Sequence, residues 1–97
     1  MKKLFINDQD TQTEELVENQ EKTSVINNII LYNDEVNTFD FVIDSLIKVC
    51  KHDSLQAEQC TYLVHYAGKC AVKSGSFDEL EPICETLLNM GLTAAIE

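Results

Sequence analysis

The sequence predicts an α/β (α+β) fold. About three helices pack as a compact sandwich on a small, mixed three-stranded sheet, in the order β-α-α-β-α-β, behind a disordered N-terminal tail. Three observations predict it. The run Ile29-Ile30-Leu31-Tyr32 is dense in β-branched and aliphatic residues, at the length of a strand buried on both faces. Downstream, apolar residues recur at threes and fours in three separate stretches, the period of a helix with one buried face. Gly68, Gly75 and Gly91 fall where those stretches end or turn. Helices and strands of this kind bury their apolar sides against each other in layers.

The chain has 97 residues, enough for one modest core. Residues 1–24 read as a flexible polar extension. After Ile6 they are almost entirely Asp, Glu, Gln, Asn and Thr, with Leu16 and Val17 the only aliphatics. Such a segment buries too little apolar area to offset its ordering entropy. It is either a solubilising leader or an arm for a partner to grip. Residues 25–97 form the core domain.

Val25 to Tyr32 is the first strand, and Asn33 to Val36 breaks its pattern. Asn37 has the chemistry of a helix N-cap, and Asp40 would then stand three residues on, able to reach back to it. Helix one runs from about Thr38 to Lys51, with Phe39, Val42, Ile43, Leu46, Ile47 and Cys50 on one face. Asp53 or Ser54 caps helix two, about Leu55 to Ala67, whose apolar positions are Leu55, Ala57, Cys60, Leu63, Val64 and Ala67. Gly68 suits the left-handed residue after its end. Cys70-Ala71-Val72 is a short strand, and Lys73 to Ser76 is a turn. Helix three starts between Ser76 and Glu81. Ser76 and Glu79 have capping-box spacing, but that register places Pro82 past the first turn, where a backbone bond is lost, so a start near Glu79 is preferred. Gly91 ends the helix, and Leu92 to Ile96 is the last strand.

The composition narrows the function. Net charge is −10, from 17 acids against 7 bases. Such a surface repels phosphate backbones and anionic lipid, which excludes nucleic acid and membrane as partners and favours cationic ligands. No stretch approaches the roughly 20 apolar residues that span a bilayer. Cys50, Cys60, Cys70 and Cys84 lie ten or more residues apart, without a CxxC pair or a zinc-type cluster. They read as small buried hydrophobes in a cytoplasmic protein. There is no nucleophile elbow, P-loop, dinucleotide fingerprint or HExxH helix, so neither an enzyme nor a cofactor or metal site is expected.

His65 sits in Leu63-Val64-His65-Tyr66-Ala67. It reads either as a buried histidine satisfied locally or as a polar tip at the mouth of an apolar pocket, where a neutral ring nitrogen can accept a bond from an ammonium. Asn33 is likewise either a turn residue or a ligand group.

Leu31-Tyr32-Asn33-Asp34-Glu35, the Phe41-Val42-Ile43-Asp44 that follows and Val64-His65-Tyr66-Ala67-Gly68-Lys69 downstream resemble the ClpS adaptor family over about residues 28–97. The resemblance implies an adaptor that binds degradation substrates by a bulky hydrophobic N-terminal residue (Leu, Phe, Tyr or Trp). It implies delivery to a Clp-type AAA+ unfoldase, ClpA- or ClpC-like, with its ClpP protease. On that reading Asn33, Asp34 and His65 grip the substrate's α-amino group. Val42, Val64 and Leu92 line the side-chain pocket, and Phe39 and Thr61 hold two wall positions commonly taken by methionine. The polar leader matches the arm that the unfoldase engages. The family's turn often carries Thr-Pro where this chain has Asn37-Thr38. A protein-interaction module of the same fold, without amine recognition, is the alternative, and it predicts His65 in the core, away from Asn33.

Overall fold

The computed structural model describes residues 25–97, so the N-terminal extension predicted over 1–24 lies outside the described residues. The elements follow the expected order: β1 (Asn27–Tyr32), α1 (Phe39–Cys50), α2 (Ser54–Ala67), β2 (Lys69–Gly75), α3 (Phe77–Asn89) and β3 (Thr93–Ile96). The sheet order is β2-β1-β3. Both pairings are antiparallel, so the sheet is not mixed. The pairing of β1 and β3 continues past Ile96, because Asn28 and Glu97 exchange backbone hydrogen bonds of 2.9 and 2.8 Å.

β1 is central in the sheet but not buried on both faces. Ile29 and Leu31 are buried, while Ile30 and Tyr32 are half-buried. Ile29 and Leu31 join Leu46, Leu80 and Leu87 in the core, so the helical layer covers one side of the sheet. Burial of this set is the main stabilising contribution.

Several boundaries differ from the sequence expectation, each for a local reason. Thr38, not Asn37, caps α1: its hydroxyl accepts a 3.1 Å bond from the Phe41 amide. Asp40 therefore stands one place earlier than expected and serves the helix dipole from the first turn. α3 starts at Phe77 with the full capping box, the Glu79 amide donating to Ser76 Oγ and the Ser76 amide to Glu79 Oε1. Pro82 thus lies inside the helix. It removes the amide that Asp78 O would accept, but both residues are exposed, where water can take its place. Lys73, Ser74 and Gly75 belong to β2 rather than to a turn, because Ile29, Asn28 and Asn27 of β1 pair with them.

α2 also turns its faces differently. Ala57, Thr61 and Val64 are buried, whereas Leu55 and Leu63 are 66% and 51% exposed and Ala67 is exposed. The Thr61 hydroxyl is compatible with the core because it donates to Ala57 O at 2.7 Å. Burial pushes the Cys50 thiol up to about 11. Burial and then a hydrogen bond with Cys60 push Cys70 up to about 12. Both remain thiols near neutral pH, and all four cysteines are unpaired.

The break after α1 contains a buried group that the sequence pattern did not reveal. Lys51 is left-handed (φ 61°), and the following His52 turns inward to 6% exposure. Its Nε2 donates to Val72 O at 2.6 Å, which requires the Nε2–H tautomer because a carbonyl can only accept. Val72 is the extra residue at a bulge in β2, between the partners of Ile29 and Ile30. His52 thus stitches the end of α1 to that bulge. We expect His52→Ala to cost about 1–3 kcal/mol, the effect of leaving a buried acceptor unpaired. Urea unfolding measures it, and a loss under about 0.5 kcal/mol would contradict the stitch.

Candidate functional site

The turn after β1 is held from within and from two sides. Asp34 Oδ1 accepts the backbone amides of Val36 and Asn37, both at 2.9 Å, which is an Asx-type turn. The Asn37 side-chain amide donates to Asp34 Oδ2 and to Gly91 O, again both at 2.9 Å. Both partners can only accept, so the orientation of that amide is fixed by chemistry. The Asn33 backbone amide donates to Gly68 O at 3.0 Å. Gly68 and Gly91 both take positive φ, 99° and 94°, which glycine adopts without a Cβ clash. The ends of α2 and α3 thus each present a carbonyl to the turn, and this brings Asn33 and Asp34 to the end of the helix that carries His65.

Partial burial raises the Asp34 pKa. The hydrogen bonds from the Asn37 amide, the Asn37 side chain and the Val36 amide outweigh it, and hold the carboxyl below its usual value. Three of about four acceptor positions of the carboxylate are occupied, which leaves room for one more donor. Among the described residues, the Asn33 side-chain amide and the His65 ring have no hydrogen-bond partner.

All eight residues singled out in the sequence line one pocket that opens to solvent. Asn33, Asp34 and His65 supply polar groups; Phe39, Val42, Thr61, Val64 and Leu92 supply walls. Val42, Thr61, Val64 and Leu92 are buried, and His65 is exposed rather than packed in the core. The Thr61 hydroxyl is satisfied inside α2 and makes no demand on a ligand. The Phe39 ring meets His65 edge-on, at 5.9 Å between centroids. Sequence reasoning missed Leu31, Tyr32 and Asn37 in this lining. Asn37 could have been found: an Asp with an Asn three residues on can close an Asx turn as well as cap a helix.

Comparison with known proteins identifies the family. The family model for the ATP-dependent Clp protease adaptor protein ClpS matches residues 20–95. The chain belongs to the ClpS family. The ClpS adapter of Pectobacterium carotovorum is 33% identical over 75% of this chain and 74% of its own length. That of Thermosynechococcus vestitus is 38% identical over 69% and 72%. The chloroplastic adapter CLPS1 of Chlamydomonas reinhardtii is 33% identical over 84% of this chain, which spans 51% of that longer protein. The solved structure of Agrobacterium tumefaciens ClpS2 bound to L-phenylalaninamide shares the fold, with a TM-score of 0.71 at 19% identity. The match covers 74% of this chain and 94% of that one. Among the described residues of this ClpS chain, no helix is long and apolar enough to cross a membrane.

Proposed function

We propose that this ClpS chain binds the free amino terminus of proteins whose first residue is bulky and hydrophobic (Leu, Phe, Tyr or Trp). It hands them to a Clp-type AAA+ unfoldase, ClpA- or ClpC-like, with its ClpP protease, in the cytoplasm. One observation carries the reading: Asn33, Asp34 and His65 share the lining of a pocket whose remaining walls are largely apolar. An α-ammonium has three N–H donors. The Asn33 amide oxygen, the open position on Asp34 and a neutral His65 nitrogen accept one each. An acetylated end or an internal peptide bond offers no such set of donors. The first side chain then enters between Phe39, Val42, Val64 and Leu92. L-Phenylalaninamide, the ligand of the Agrobacterium relative, has both features: a free α-amine and an aromatic side chain. The four unpaired thiols suit a reducing compartment.

Titration with L-phenylalaninamide, followed by amide and imidazole NMR shifts, tests the site. Shifts concentrated on Asn33, Asp34 and His65, absent with N-acetyl-phenylalaninamide, are the expected result. Equal shifts with both compounds would contradict amine recognition. ATP-dependent degradation of a Phe-initiated substrate by candidate unfoldases tests delivery.

A further inference from the structure

Two exposed tyrosines stand beside the pocket without lining it. Tyr62 and Tyr66 are 46% and 75% exposed. They lie one turn apart on α2 and stack, with centroids 5.6 Å apart and planes at 21°. Tyr62 also meets the Phe39 ring edge-on at 5.0 Å. Tyr66 meets the His65 ring edge-on at 5.0 Å. With the Phe39–His65 contact, the four rings close into a cycle: Phe39, Tyr62, Tyr66, His65 and back to Phe39. Two members line the pocket, one on the hydrophobic wall and one at the amine-binding rim. The other two face solvent, where large apolar area carries a cost unless it does something.

We propose that the Tyr62–Tyr66 stack is a brace that sets the selectivity of the pocket. Tyr62 holds the Phe39 ring against the side-chain pocket, and Tyr66 holds the His65 ring toward the incoming amine. Both are positioning residues, acting through a neighbour rather than on the ligand. The preferred edge-to-face geometry restrains ring rotation on both sides of the cycle. A fixed wall discriminates between first residues by shape more sharply than a mobile one, because a loose ring can adjust to each. This inference rests on the amine-binding reading above.

The test is a peptide panel on the full chain. Peptides beginning with Leu, Phe, Tyr or Trp, and an acetylated Phe peptide, are titrated against wild type, Tyr62→Ala, Tyr62→Phe and Tyr66→Ala. Tyr62→Ala should narrow the spread of affinities across first residues by about two- to tenfold, the range for one aromatic pair, and Tyr62→Phe should keep the wild-type ranking. Tyr66→Ala should lower the preference for free over acetylated ends by a similar factor. Melting temperatures should stay close to wild type, since both side chains are exposed, so a loss of fold does not mimic the result. An unchanged spread in Tyr62→Ala, or an unchanged free-to-acetylated ratio in Tyr66→Ala, would overturn the brace while leaving the functional proposal standing. Wild type binding free and acetylated peptides alike would instead overturn the functional proposal, and the brace's selectivity role with it.

Discussion

Asp34→Ala is expected to weaken binding of a Phe-initiated peptide by about a hundredfold or more. A charge-assisted hydrogen bond contributes roughly 1.5–3 kcal/mol, and about 1.4 kcal/mol is tenfold in affinity. The effect should reach the upper end, because Asp34 carries two loads. One oxygen collects the amides of Val36 and Asn37, and the other fixes the Asn37 side chain. Removing the carboxylate takes away an amine acceptor and releases the turn that presents Asn33. Asp34→Asn separates the two. It keeps an oxygen for the backbone amides, loses the charge, and faces the Asn37 amide with a second donor. Its binding should fall between wild type and Asp34→Ala. Anisotropy titrations beside a thermal melt decide the matter: an Asp34→Ala protein that folds and binds within about threefold of wild type would contradict the assignment.

The second large effect is on pH dependence. Asp34 accepts the ammonium as a carboxylate and loses that charge when it is protonated. Its carboxyl is held below the usual value, so its contribution is present at higher pH and lost only as pH falls through that lowered value. Affinity should therefore show an acid limb that Asp34→Asn abolishes, since a side-chain amide does not titrate. A limb that persists unchanged in Asp34→Asn would move its origin elsewhere.

The sequence carried the order of elements well and their edges less well. Ile29 to Tyr32 was legible as a strand from its residue types, although only Ile29 and Leu31 are buried, and the periodic face of α1 was legible from its spacing. Lys73-Ser74-Gly75 looked like a turn in isolation, and only pairing with β1 makes it strand. Pro82 argued locally for a late start to α3, but the capping box and the burial of Leu80, Cys84 and Leu87 prevail. Leu55 and Leu63 fitted a helical stripe and are nevertheless exposed, because the core face of α2 follows Ala57, Thr61 and Val64.

The site was legible in a different way. Asn33, Asp34 and His65 are ambiguous one at a time, and 30 residues separate the pair from the histidine. Family resemblance joined them. The reason they converge lies in the carbonyls of Gly68 and Gly91 and the amide of Asn37, which no residue count could supply. The aromatic cycle was hidden for the same reason, since Phe39 and Tyr62 sit on different helices.

The most direct measurement is fluorescence anisotropy of a Phe-initiated peptide, with free and with acetylated N-terminus, against wild type and His65→Ala. Tight binding of the free peptide alone, lost in His65→Ala, is the predicted result. Binding that ignores acetylation, or survives the loss of His65 unchanged, would mean that this pocket reads something other than a free amino terminus.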